Sequence, residues 1–185
     1  MLTPQSLVGD PLKVKDRWFG YPTCFTVWDP SSFSDNPSLK TGSHFVRAPN
    51  ATFNDAACND KAVAPRLSFQ AHSAPIHASF DADAANMYVT FHGSWDRQPA
   101  TGFKVVQVPF RKLADGSYDP VAAADSMKGY TDIFSAANPA SCTANGLTQS
   151  NCFRLTASTW DPSNRGVFIG SDNASEGEVY LLYKA

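Results

Sequence analysis

Two arginines, two histidines, two aspartates and a tryptophan are the residues of this chain best suited to chemistry, and their sequence positions suggest that they converge. His72 and Arg154 each come just before a strand-like run. His92, Trp95, Asp96 and Arg97 stand at or after the end of another, and Asp172 holds the matching place in a second copy of the pattern. A guanidinium is a planar fork of N–H donors that grips a carboxylate through two parallel hydrogen bonds, so a pair of arginines suits a ligand with several carboxylates. Each residue also has a plain structural use. Arg97 and Asp96 would make a surface ion pair, Arg154 would cap a carbonyl, and His72 would bond to a loop. Taken singly, those uses prevail; as a converging set, the residues are a candidate binding site. No nucleophile elbow, P-loop or dinucleotide-binding glycine motif is present.

The elements that must position these residues come from a repeat. Ser68–Phe110 and Cys152–Lys184 share one grammar: a short run ending in an aromatic and an aspartate (Phe80-Asp81, Trp160-Asp161), a turn, an apolar strand closing on Gly-Ser (Gly93-Ser94, Gly170-Ser171), a polar loop and an alternating strand. Self-similar multi-strand units at a long period are how propeller blades are written, and the spacing of about 80 residues exceeds the ~40–45 of a minimal blade, so the expected blades carry long loop insertions. A sandwich of short strands is the alternative. In a propeller the chain reverses at each hairpin, which puts the approach to the first strand and the loop between strands two and three on one face. His72, Ser73, Trp95, Asp96, Arg97, Arg154 and Asp172 all fall there. The turns at Asp81–Asn86 and Asp161–Gly166 fall on the other, and Asp81, Asp83 and Asn86 read as hairpin chemistry, because the glycine and distal glutamate of a calcium loop are missing.

The 185 residues suffice for a domain with a real core. The net charge is −2 and the basic residues are scattered, which gives neither a nucleic acid nor a membrane surface a patch to bind. No apolar run approaches the ~18 residues of a membrane span. With 13 prolines and 11 glycines spread through it, the chain reads as soluble, loop-rich and mostly β. Residues 1–17 read as a linker or unpaired edge, without the basic start and apolar centre of a signal peptide. The aromatic-rich run from Arg17 to Asp29 reads as a core-capping cluster rather than a ligand wall. Ser31–Arg66 and Lys112–Asn151 read as long loops, the second with one short amphipathic piece near Tyr130–Phe134. Four cysteines in polar loops point to disulfides, and the expected pairing is Cys24 with Cys58 and Cys142 with Cys152; zinc lacks both a C-x-x-C and a suitably spaced histidine. The triplets at Asn50 and Asn173 are candidate glycan acceptors and agree with an oxidising, secretory setting.

Four separated motifs, FGYPTCFTVW (Phe19–Trp28), HSAP (His72–Pro75), FHGSWDRQPATGFKV (Phe91–Val105) and CFR (Cys152–Arg154) with GVFIGSD downstream, resemble in order the C-terminal half of the soluble quinoprotein sugar dehydrogenases. The likeness is to the fungal secreted pyranose dehydrogenases and the L-sorbosone dehydrogenase-like proteins, and it runs from Trp18 onward. It implies an all-β fold, about half of a six-bladed propeller at 18–185. The family ring holds pyrroloquinoline quinone (PQQ) over a calcium ion and oxidises a sugar hydroxyl or hemiacetal by hydride transfer to the quinone. By the resemblance, Arg97, Arg154, His72 and His92 lie at the cofactor, Trp95 shapes the sugar pocket and Asp96 orients Arg97. It assigns no catalytic base and no metal ligand here, since the base and most calcium ligands belong to the N-terminal half of the family domain. One departure is that Leu155-Thr156-Ala157 replaces the usual Pro-Val-Gly after C-F-R. The implied partners are a sugar and an electron acceptor such as a cytochrome domain, with further blades or a second copy covering open strand edges, and the implied location is extracellular. Two functions stand: the C-terminal portion of a PQQ-dependent sugar dehydrogenase, or a non-catalytic propeller remnant serving carbohydrate binding or association.

Overall fold

The alternation of apolar and polar residues in the two repeats is realised as two antiparallel meanders. The computed structural model describes residues 18–145, 149–174 and 177–183; the stretch 1–17 lies outside the described residues. The chain divides into two compact units, one formed by residues up to Ala71 together with Arg111–Gly129, the other by His72–Phe110 and the chain from Tyr130 onward.

In the second unit, β3 (Pro75–Phe80), β4 (Asn86–Phe91) and β5 (Lys104–Lys112) pair in sequence, Phe80 facing Met87 and Phe91 facing Lys104. The second repeat gives β10 (Leu155–Trp160), β11 (Gly166–Ser171) and β12 (Glu178–Tyr183), with Trp160 facing Val167 and Gly166 facing Tyr183. Strand, hairpin, strand, loop, strand is the observed order in both. The hairpins match in detail. Ala84 N–H bonds Asp81 O and Asn164 N–H bonds Asp161 O, with Ala84 and Asn164 both left-handed, at φ 56° and 55°. The Asp81 carboxylate accepts from the Asn86 backbone N–H at 3.0 Å and from Asn86 Nδ2 at 2.9 Å, so Asp81 and Asn86 do turn chemistry, as expected. The amphipathic piece expected inside a loop is a strand: β7 (Thr131–Ser135) pairs with β5, Lys104 facing Ser135. A shorter hairpin, β8 (Ala144–Asn145) with β9 (Gln149–Ser150), lies within the loop closed by the Cys142–Cys152 disulfide.

Val105, Leu155, Val167 and Ile169 form one core of this unit, flanked by Phe134, Phe153, Trp160, Tyr180 and Leu182. A second cluster gathers Ala100, Phe103 and Cys142, with Cys152 and Phe153 against them. Phe103 is fully buried and left-handed at φ 54°. Its ring fits only because residue 93 is glycine: a Cβ on Gly93, itself at φ 89°, would lie 2.5 Å from the ring.

In the first unit, β1 (Cys24–Thr26) pairs with β2 (His44–Val46) and the Cys24–Cys58 disulfide ties β1 to α1 (Asp55–Lys61). Both expected disulfides are thus present. The helix stands where a loop was expected, and it acts as a third strand for β2. Asn59 Oδ1 accepts from His44 N–H at 2.9 Å, Asn59 Nδ2 donates to His44 O at 2.8 Å, and Asp55 Oδ1 accepts from Val46 N–H at 2.9 Å. Trp18 and Phe53 pack against the Cys24, Val46 and Cys58 cluster, which gives Trp18 the core-capping role expected of its aromatic-rich run. β6 (Tyr118–Pro120) follows a turn closed by Leu113 N–H to Ser117 O. Arg66 joins the distant parts of this unit, with Nε and Nη2 each 2.7 Å from an Asp119 oxygen and with further bonds to Pro120 O and Ala122 O. Those bonds from Arg66 hold the Asp119 carboxyl below the usual carboxylate range, against the opposing effect of burial. No helix among the described residues is long and apolar enough to cross a membrane.

Two predictions follow from these contacts. Gly93→Ala forces either the Phe103 ring or a left-handed backbone to give way, and should cost about 2–4 kcal/mol of stability in denaturant unfolding. His44 is buried, and desolvation lowers its pKa below the ordinary 6.5. The unfolded chain therefore binds a proton near 6.5 that the folded chain refuses, so this stabilisation is complete above that pH and is lost as pH falls below it. Between about pH 7 and pH 5 the melting temperature should fall, and His44→Gln should flatten that slope; equal slopes in the two proteins would refute the assignment.

Candidate functional site

The site lies in the second unit, at the end of the sheets where β3 and β10 begin and β4 and β11 finish. Left-handed backbone at His72 (φ 63°) and Ala74 (φ 53°) bends the approach to β3, and the bend is fixed by His92 N–H to Ala74 O at 2.9 Å and Gly93 N–H to Ser73 O at 3.2 Å. Gly102 meets the same bend: a Cβ there would lie 2.7 Å from Ser73 O and 2.8 Å from Gly93 Cα. The loop after β4 is pinched shut by Ser94 N–H to Thr101 O at 2.8 Å and Thr101 N–H to Ser94 Oγ at 2.9 Å. The pinch displays Trp95, which is 57% exposed, beside Asp96 and the half-buried Arg97.

Two histidine–carboxylate pairs result. His72 Nδ1 lies 3.0 Å from Asp96 Oδ2, and His92 Nε2 lies 2.7 Å from Asp172 Oδ1. An ionised carboxylate only accepts hydrogen bonds, so each pair places the proton of its neutral imidazole on the paired nitrogen and leaves a lone pair on the other, Nε2 in His72 and Nδ1 in His92. Sequence reasoning gave Asp96 to Arg97; in the structure a carboxylate oxygen of Asp96 engages His72.

Arg154 is the deepest member, at 1% exposure. Its backbone is held on both sides, N–H to Ser171 Oγ at 2.9 Å and O from Asp172 N–H at 3.0 Å, so the replacement of Pro-Val-Gly by Leu155-Thr156-Ala157 leaves it anchored. The guanidinium lies over the Phe103 ring, Cζ 5.9 Å from the centroid. Nε and Nη1 are buried with no hydrogen-bond acceptor among the described residues. Burial lowers the Arg154 pKa and the Asp172 carboxylate acts to raise it; a guanidinium keeps its charge through such shifts. A buried cation with two unmet donors costs several kcal/mol, and an anionic acceptor is the group that would satisfy it.

The structure therefore groups Arg154, Asp172 and His92, and separately His72 with Asp96, while Trp95 and Arg97 lie on the pinched loop. Phe103 and the glycines that seat it went unassigned in the sequence, although the Gly102-Phe103 pair inside FHGSWDRQPATGFKV carried the signal. Asn173, a candidate glycan acceptor, lies next to Asp172 and is built into the fold. Its Nδ2 donates to Ser150 O at 2.8 Å and Cys152 O at 3.0 Å, which ties the Cys142–Cys152 loop to the segment carrying Asp172; Ser175 of its triplet lies outside the described residues. No group of three or more candidate metal ligands occurs among the described residues.

Known proteins share this architecture. The chain is 37% identical over 177 residues to the pyrroloquinoline quinone-dependent pyranose dehydrogenase of Coprinopsis cinerea, an alignment covering 95% of this chain and 24% of that protein. It is 32% identical over 169 residues to a pyrroloquinoline quinone-dependent sugar dehydrogenase of Hypocrea jecorina, covering 90% of this chain and 34% of that one. Among solved structures, the holo PQQ domain of the Coprinopsis cinerea pyranose dehydrogenase superposes with a TM-score of 0.81 at 35% identity, covering 91% of this chain and 40% of that domain. The calcium structure of the Trichoderma reesei family AA12 enzyme gives 0.76 at 32% identity, over 90% and 38%. The chain thus spans well under half the length of each of these relatives. The TrAA12-like family profile matches residues 4–185, and the chain belongs to that family.

Proposed function

We propose that this chain supplies the anion-gripping part of a PQQ-dependent sugar dehydrogenase. The observation that carries the reading is the Arg154 guanidinium, buried with Nε and Nη1 unmet, stacked on Phe103 and next to the Asp172–His92 pair. PQQ is a planar tricarboxylate, and a carboxylate is the acceptor that such a fork lacks. Arg154 would hold one cofactor carboxylate, with Arg97 gripping another from the pinched loop. His92, fixed by Asp172, and His72, fixed by Asp96, would each turn an imidazole lone pair toward cofactor or sugar. Trp95 would give the sugar a hydrophobic wall. PQQ, when bound, takes the hydride from the sugar hydroxyl or hemiacetal carbon.

In the same reading the two meanders are blades of a six-bladed ring, and the remaining blades carry the catalytic base and most calcium ligands. The outer face of β10–β12 agrees with this: Phe168, Leu181, Tyr183 and Val179 are 38%, 41%, 66% and 74% exposed, an apolar surface of the kind one blade presents to the next. Further blades, or a second copy of the chain, would cover it. The two disulfides suit an extracellular enzyme that passes electrons to a separate acceptor or cytochrome domain.

Titration of the folded chain with PQQ and calcium, followed by tryptophan emission, tests the grip. Arg154→Met should weaken PQQ binding by about 10–100-fold while raising the stability of the ligand-free protein by about 1–3 kcal/mol, because it removes a buried charge without an acceptor. A purely structural arginine would give the opposite sign of stability change. If saturating PQQ leaves the emission of folded protein unchanged, the non-catalytic association module is the reading that stands.

A further inference from the structure

We propose that Asn50 is the N-glycan acceptor of this chain and that Asn173 is not. The two triplets, Asn50-Ala51-Thr52 and Asn173-Ala174-Ser175, both satisfy the acceptor pattern Asn-X-Ser/Thr, and folding separates them. Asn50, Ala51 and Thr52 are all exposed, on the segment between β2 and α1. The Asn50 side chain is turned so that Oδ1 accepts from Thr52 N–H at 2.9 Å, from Thr52 Oγ1 at 3.0 Å and from Phe53 N–H at 2.8 Å. Asn50 N–H in turn bonds Phe53 O at 2.9 Å, so the loop holds its shape without Nδ2. That amide nitrogen makes no hydrogen bond to the described residues, while the Thr52 hydroxyl polarises the carbonyl end of the same amide.

Asn173 is the opposite case. It is 9% exposed, and both Nδ2 protons are donated, to Ser150 O and Cys152 O. A sugar on that nitrogen leaves one proton for two acceptors and must fit a buried site, so a modified Asn173 would lose the link that fastens the Cys142–Cys152 loop. The two disulfides support passage through an oxidising secretory route, where the donor for this chemistry is a lipid pyrophosphate-linked oligosaccharide. In the transfer, Asn50 Nδ2 attacks the anomeric carbon of the first sugar and a C–N bond forms. The C–O bond to pyrophosphate breaks, the pyrophosphate oxygen leaves with the electron pair, and the amide proton passes to a base of the transferase. This inference is independent of the PQQ reading.

The full chain, secreted from a glycosylating eukaryotic host, is deglycosylated with an amidase in heavy-oxygen water and mapped by peptide mass spectrometry. The expected result is conversion of Asn50 to labelled aspartate, with Asn173 unlabelled. Asn50→Gln and Thr52→Ala should both abolish the endoglycosidase-sensitive gel shift and leave PQQ binding unchanged. Thr52→Ser should retain the shift, and Asn173→Gln should keep it while lowering the melting temperature. An unmodified Asn50 in secreted protein, a labelled Asn173, or a glycan that survives Thr52→Ala would overturn the proposal.

Discussion

One buried cation organises the part of this molecule that can do chemistry. Arg154 sits at 1% exposure on the Phe103 ring, and Phe103 sits where it does because Gly93 has no side chain and because the Cys142–Cys152 disulfide and Ala100 fill the space around it. Each of these choices is costly alone. A left-handed phenylalanine and a buried guanidinium with two unmet donors are the kind of feature that selection for stability alone would remove. Together they form a rigid floor that fixes the aim of a charged fork, which is what recognition of a carboxylate requires.

The strands contribute registration and the loops contribute donors. Arg154 and Asp172 are joined by a backbone hydrogen bond at the end of the β10–β11 pair, so the carboxylate that steadies His92 and the cation that stands next to it cannot drift apart. His72 and Ala74 are left-handed so that the approach to β3 can bond to His92 and Gly93, which brings the first histidine to the same end as the second. Left-handed non-glycine backbone occurs at the site end, at His72, Ala74 and Phe103, and also in the hairpins at the opposite end, at Ala84 and Asn164, where the aspartates close ordinary turns.

The periodicity of the sequence was enough to find the meanders, because half-buried strands alternate and hairpins carry their aspartates and asparagines in the open. It placed Arg154, His72, His92 and Asp172 at one end of the sheets for the same reason. What stayed illegible was set by tertiary contacts. Asp55–Lys61 lies inside a stretch without clear periodicity, and its helix is fixed by the Asn54 cap, the disulfide through Cys58 and the bonds of Asp55 and Asn59 to β2, none of which has an apolar signature. β7 reads in sequence as a short amphipathic piece within a long loop, and its pairing with β5 makes it a strand. The bond from Asp96 to His72 was likewise out of reach of the sequence, because the bend at His72 brings an imidazole to one of the Asp96 oxygens from 24 residues away.

The unmet donors of Arg154 also explain why the surrounding polar groups are so well met. Asn173 satisfies Ser150 and Cys152, Ser171 satisfies the Arg154 amide, and Thr101 satisfies Ser94, each within one short loop. These neighbours are paired, whereas two donors of the Arg154 guanidinium are unmet among the described residues. Had the charge been structural, the cheapest solution would have been a carboxylate or carbonyl turned toward it from the same loops, and Asp172 is close enough to perturb it. Asp172 instead points an oxygen at His92 and keeps its side chain 54% exposed. The carboxylate that could have quenched the cation is held to the side, and in the proposed reading the attraction left over is what a ligand carboxylate would take up, stability given up in the free chain becoming affinity in the bound one.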